Sequence, residues 1–474
     1  MRSRRLVPLA SLALAACAAP SRPPVAAAPA APRPLPAGLD EAADLDPFPS
    51  RYVARPGGAV AIVGAHILTA TGADIPEGTL LLRDGKVEAV GAGVAVPAGY
   101  AVIDGHGKWV TPGVIDAHSH LGVYAEPTVP AHDDGNELTD PNTAQVWAEH
   151  SVWPQDPAFD TAREAGVTTM MILPGSGNLF GGRSVTLKNV PALTVQEMKF
   201  PNAPQGLKMA CGENPKRVYG GRGRSPQTRM GNVAGYRKAW VDAADYARRW
   251  DKWRAGGGAG DPPKRDLQLD TLAGVLKGRI LVHNHCYRAD EMAVMIDVAR
   301  EFGYHIQAFH HATEAYKIAP LLKREGICVA TWANWWGYKM ETYDAIEENA
   351  ALLTKAGVCA IIHSDDPNLI QHLNQEAAVA LSAGRRAGID ISEAEAVKWF
   401  TANSARALGI ADRTGTLEPG KAADVVLWSA DPFSIYALAD RVWIDGAQVF
   451  DRADPAYRRH SDFMLGQPGQ ERPR

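Results

Sequence analysis

Eight short apolar runs narrow the fold of this chain more than any other feature: VIDAHSH, VTTMMIL, SVTLKN, GLKMACG, ILVHNH, YHIQAFHH, ICVATW and VCAIIHSD, spread between Val114 and Asp365. Several of the intervals between them read as helices. ADEMAVMIDVAREFG and EAYKIAPLLKREG carry apolar residues at helical spacing and end in a glycine placed as a C-cap. Strand and helix in alternation is the pattern of βα units around a parallel sheet. Eight such strands are what a closed (β/α)8 barrel requires. The expected fold class is therefore α/β, with a TIM-type barrel over residues 112–407. Residues 213–278 form a connection far longer than a usual βα loop and contain the aromatic, basic helix YRKAWVDAADYARRWDKW. They are expected to be an insertion over the barrel mouth.

The flanks have a different texture. Between Ala59 and Lys108, and again after Leu408, β-rich runs alternate with tight-turn signals at Asp84-Gly85 and Asp445-Gly446. Two such segments on either side of a barrel predict one small composite β-sandwich, built from 51–111 and 408–460. The N-terminus, MRSRRLVPLASLALAACAAP, has arginines, a short apolar stretch and small residues before Cys17, which reads as a secretion signal. Leu14 to Cys17 resemble the cleavage box of bacterial lipoproteins, so residues 1–17 are expected to be removed up to a lipidated Cys17. Ala18 points to the outer membrane, facing the periplasm. Residues 18–50 are rich in Ala and Pro and are expected to be an extended tether. Cys211, Cys286, Cys328 and Cys359 lie in or beside apolar runs without regular spacing and are read as core thiols.

Charge excludes one class of partner. With 49 basic and 53 acidic residues the formal net charge is -4, which gives no global reason to expect nucleic acid. A small-molecule or peptide-like substrate fits better, and a homo-oligomer is left open.

The C-terminal ends of barrel strands are where such folds keep their chemistry. Here those ends carry His118 and His120, then His283, Asn284 and His285, then His310 and His311, and finally His363, Ser364, Asp365 and Asp366. One such histidine is commonly a hydrogen-bonded core group; four clusters at one rim are not explained that way. Imidazoles and carboxylates together can hold Zn²⁺ or a similar divalent ion, acidify water and polarise a carbonyl.

On TPGVIDAHSH, GLKMACGENPKR, the histidine before RADEM, HHATEAYKIA, HSDDP, and NSARALGI followed by GTLEPGKAADVVLW, the chain resembles the metal-dependent amidohydrolase superfamily, in its imidazolonepropionase-like branch with exported members. The resemblance implies a ligand set of His118, His120, His285, His311 and Asp365. It also implies a bridging carboxylate, either Glu213 or a carboxylated Lys208, with Glu213 favoured by its place beyond Gly212. One or two ions are compatible with it. Asp365 would be the catalytic base and later the acid, and His311 would stabilise the oxyanion. Arg222 in the basic loop after strand four, and Trp335 in TWANWWGYKM after strand seven, are candidates for binding substrate. The activity expected is hydrolysis of an amide or peptide-like C–N bond by a metal-activated hydroxide. The alternatives are a hydrolase of cyclic amide or imidazolone-type rings, and a degenerate barrel that only binds ligand.

Overall fold

The computed structural model describes residues 35–36, 38–42 and 45–457. The expected signal, Cys17 with its lipid, and the tether as far as residue 34 lie outside the described residues.

Eight strands line up in chain order as one nearly closed sheet: β6 (Val114–Ser119), β7 (Val167–Ile172), β8 (Phe180–Lys188), β9 (Gly206–Ala210), β10 (Leu281–Cys286), β11 (Ile306–His311), β12 (Cys328–Thr331) and β13 (Ala360–Ile362). Nearly every residue in them is buried, because helices cover the outside and side chains fill the middle. The third strand departs from the expected all-parallel pattern: β8 runs antiparallel to both β7 and β9. Only residues 173–179 join β7 to β8, too few for a crossover helix, so the chain has to turn back as a hairpin. The other adjacent pairs are parallel. No ladder joins β13 to β6. The barrel is instead closed by side chain and backbone: the Asp365 N–H donates to His118 O at 3.0 Å. Alongside, the Ser364 N–H donates to Asp116 Oδ1 at 3.2 Å, and the Ser364 hydroxyl donates to Asp116 Oδ2.

Register explains a correction. The four cysteines read as core thiols form two disulfides, Cys211–Cys286 and Cys328–Cys359. Ala210 pairs with His285, and Val329 with Ala360. One step along each parallel pair sets the cysteines side by side, with Cα atoms 5.3 and 4.5 Å apart. Spacing in the sequence carries no trace of this.

The flanking segments meet in a second sheet of β1 (Val60–Leu68), β2 (Asp74–Arg83), β3 (Lys86–Gly91), β4 (Ala101–Asp104), β5 (Trp109–Pro112), β14 (Val425–Trp428), β15 (Ala439–Ile444) and β16 (Ala447–Asp451). It is one continuous sheet, whereas a sandwich of two was expected. The first half of β1 pairs with β4 and its second half with β5, and β5 carries the C-terminal strands through β14. The sheet curls over its own apolar core of Ile62, Leu80, Val110, Val425 and Trp443. At its far edge the Val87 N–H donates to Lys421 O at 3.0 Å. A buried cluster ties this sheet to the barrel: Lys188 Nζ lies 2.7 Å from Asp445 and 3.6 Å from Asp424.

Two further expectations are corrected. The helix Arg229–Ala255 does not cover the mouth; it packs on the outer wall, with Trp240 against Tyr304 and Phe180, and Arg237 paired to Glu301. Its buried face of Tyr236, Trp240, Ala243, Tyr246 and Trp250 repeats every three to four residues, which needs a wall to lie against. The end of the supposed tether is docked too. Glu41 is buried among Arg254, Lys277 and Arg279, and Lys199 holds Asp46 at 3.0 Å.

Candidate active site

A strand's period of two puts His118 and His120 on the same side of β6, with their Nε2 atoms 3.3 Å apart. Asp365, just beyond β13, reaches both: its Oδ1 is 3.1 Å from His118 Nε2 and 3.0 Å from His120 Nε2. From β11, His311 brings its ring to 4.8 Å from that of His118 and 4.4 Å from that of His285 at the end of β10. Two residues of this set adopt left-handed backbone that glycine would favour, His311 at φ 68° and Asp365 at φ 66°. Such conformations cost on the order of 1 kcal/mol or more and persist only where surrounding bonds over-determine them.

Hydrogen bonds fix the ring orientations. His118 Nδ1 lies 3.0 Å from His310 Nδ1, and His310 Nε2 lies 2.9 Å from His283 Nδ1. A His118 that offers Nε2 as a lone pair must donate from Nδ1, so the three rings form a chain with every proton directed away from the cluster. His285 Nδ1 is held by Ser176 Oγ at 2.7 Å and His120 Nδ1 by Leu173 O at 2.9 Å. What is left over is informative: among the described residues, His285 Nε2, His311 Nδ1 and both nitrogens of His363 are buried without a partner. Unpaired buried polar atoms are costly and call for a ligand.

Burial, with the nearby Lys208 charge, pushes His118 and His285 well below the usual imidazole range, and His311 is lowered chiefly by burial. Neutral imidazoles are the form that binds metal. Burial raises Asp365, but His311 and His120 outweigh it and hold the carboxyl below the ordinary range, so it is ionised. Ligating atoms converge in two sets, His118–His120–Asp365 and His118–His311–His363, each within 4.8 Å.

Of the two candidates for the bridging carboxylate, Lys208 lies against His118, whereas the preferred Glu213 has another partner. Lys208 is fully buried on β9, its Nζ 3.2 Å from His118 Nε2 and 3.0 Å from Pro174 O. Gly212, at φ 81°, turns the chain out of the strand and starts the helix Glu213–Gly220. Glu213 pairs with Lys339 at 3.2 Å and belongs to neither set of converging ligand atoms. Arg222 also falls outside the cluster: it is exposed and donates to Leu138 O at 2.6 Å. Trp335 is half-buried and stacks on Trp332 at 4.9 Å, and Trp332 in turn stacks on His311 at 4.4 Å. Sequence reasoning gave no ligand role to His363 and none at all to Ser176 or Asp116. The HSD run contained the signal for His363, but only folding brings Ser176 to His285.

Comparison with known proteins agrees with this geometry. A model described as the amidohydrolase family matches residues 295–450. A curated relative named Amidohydrolase tasK, from Hapsidospora irregularis, is 34% identical over 376 residues, which cover 75% of this chain and 38% of that longer protein. An imidazolonepropionase of Mesorhizobium japonicum is 23% identical over 378 residues, covering 75% of this chain and 87% of its own. The crystal structure of an amidohydrolase from Thermotoga maritima MSB8 superposes with a TM-score of 0.76 at 37% identity, over 83% of this chain and 100% of that one. On that identity across a whole relative, the chain belongs to the amidohydrolase superfamily.

Proposed function

We propose that the chain hydrolyses amide or peptide-like C–N bonds with the help of a divalent ion, Zn²⁺ or one of similar preference. The observation that carries this reading is a pair of donor sets that share His118: His118–His120–Asp365, which brings in the carboxylate, and His118–His311–His363, in which His311 and His363 keep buried nitrogens without partners. Those donor sets fit such an ion. His118, His120, His285, His311 and Asp365 would hold it, with His363 at the same distance range. Lys208, brought down to about 7 by burial, is available as a free amine to add carbon dioxide, releasing one proton and leaving a carbamate beside His118 that would serve as a further oxygen ligand. The ion supplies Lewis acidity, which acidifies water and polarises a carbonyl. Asp365 takes the proton from the attacking water and returns it to the leaving nitrogen. His311 stabilises the oxygen that gains charge.

Metal quantification alongside hydrolysis of dipeptides, N-acyl amino acids and cyclic amides tests this. We expect at least one ion per chain, and activity lost to a chelator and restored by Zn²⁺. A metal-free chain inactive on all three groups would sink it. The likeness to imidazolonepropionases favours cyclic substrates as a second reading, and the third group in the screen separates the two. Tight ligand binding without turnover would mark a barrel that only binds.

We also propose that the protein is exported and anchored through Cys17. The two disulfides, which belong to oxidising compartments, support this. A Cys17→Ala chain should move from the membrane to the soluble periplasmic fraction; retention in the membrane would refute the anchor.

A further inference from the structure

A cavity of about 540 Å³ opens between the first halves of two helices, Arg229–Ala255 and Ala289–Phe302. That volume suits a small molecule. Its lining is mostly apolar: Tyr236 and Met295 are buried, whereas Met230 and Val294 are 79% and 41% exposed and stand toward the mouth. No residue of the histidine cluster takes part in it.

The polar groups of this lining are out of balance. Arg237 pairs with Glu301, and Asp290 with Arg288. One guanidinium, that of Arg229, is then left to serve two buried carboxylates: its Nε lies 2.8 Å from Glu291, and its Nη2 pairs with Glu341. Burial raises both carboxyls above their ordinary range in spite of that charge. Two buried acceptors in the lining also lack a donor among the described residues, Glu291 Oε2 and Asn232 Oδ1. Asn232 is held by its Nδ2, which donates to Gly212 O at 3.0 Å, so a flipped amide would set oxygen against oxygen. The amino end of the helix Ala289–Phe302 would favour an anion, but Asp290 and Glu291 already fill its first turn. Open acceptors, a surplus carboxylate and an apolar wall together are the complement of a cationic donor on an apolar body.

We propose that this cavity binds a small organic ammonium, whose N–H groups meet Glu291 and Asn232 while its apolar body lies against Val233, Val294 and Met295. The site is separate from the rim cluster and does not depend on the reaction proposed there.

The full chain is titrated calorimetrically with 2-phenylethylammonium, 2-phenylethanol and 3-phenylpropanoate, which share an apolar body and differ in the head group. We expect the amine to saturate one site and to bind about tenfold tighter than the alcohol, the worth of a hydrogen bond to a charged group, with the carboxylate weakest. Val294→Trp, at an exposed position of the wall, should abolish amine binding by filling the cavity. Glu291→Gln should bring the amine to the level of the alcohol. Amines can also reach an ion at the rim, so amine binding that survives Val294→Trp overturns the site. Saturation by none of the three, an amine no tighter than the alcohol, or an affinity indifferent to Glu291→Gln overturns it equally.

Discussion

Two of the places where this molecule buries charge and polarity handle it in opposite ways. Where the composite sheet meets the barrel, Lys188 sits between Asp445 and Asp424. Asp424 also accepts from the Asp445 N–H at 2.8 Å and from Thr414 Oγ1 at 2.7 Å, and Tyr52 donates to Asp445 at 2.6 Å. Opposite charges meet and the carboxylates are hydrogen-bonded. At the barrel rim, by contrast, His285, His311 and His363 leave nitrogens unpaired among the described residues, and His311 and Asp365 hold left-handed backbone. The first cluster balances its charges within the chain, although Lys188 Nζ makes no well-aligned hydrogen bond there, and the second leaves its imidazole nitrogens open. Charge balance is what a joint between domains requires, and open ligand atoms are what a site awaiting a ligand shows.

Mutation should break the two clusters differently. Asp365→Asn is expected to lower kcat by roughly 10²–10⁴-fold, the usual worth of a positioned base, while the thermal midpoint of the metal-free chain hardly moves. Lys188→Met should do the reverse: an uncompensated buried carboxylate costs about 3–5 kcal/mol, read from denaturant unfolding, with activity per folded molecule retained. Acid should discriminate next. His283 and His363 are lowered by burial to about 3, against about 6.5 in an unfolded chain. Between those values the unfolded chain binds more protons, so stability of the metal-free protein is full above about pH 6.5. It should fall as pH drops towards 3, by at most about 1.4 kcal/mol per pH unit for each histidine. A flat stability profile from pH 7 to 4 would contradict the neutral-imidazole account. The smallest effect is expected of Glu213→Gln, whose carboxylate only pairs with Lys339: activity should stay within about threefold, as for a partly exposed ion pair. A loss comparable to that of Asp365→Asn would return the bridging role to Glu213.

What the sequence disclosed follows the range of each interaction. His118, His120, His285, His311 and Asp365 lie at the ends of apolar runs, so local pattern marks them together with His283, His310 and His363, and the family resemblance chose among these. Lys208 and Glu213 lie within one short stretch, and the choice between them depends on which way a strand residue faces and on the turn at Gly212. Neither is visible without the neighbouring strand. The disulfides depend on register between strands, and the reversal of β8 on the length of a loop more than on the texture of the strand. Arg222 looked available because its partner, the Leu138 carbonyl, is backbone, to which side-chain patterns are blind. The helix Arg229–Ala255 reads as a lid by its length and as wall once its buried stripe is matched to Tyr304 and Phe180.

The missing ladder between β13 and β6 has a last consequence. That seam is fastened by Asp116, Ser364 and the Asp365 amide, and His118 and Asp365 stand on its opposite lips. An ion gripped by both, as proposed above, would rivet the hoop shut, so loading and closure would form one linked equilibrium. Amide protons along the first and last staves should then exchange faster in the stripped protein than anywhere else in the ring.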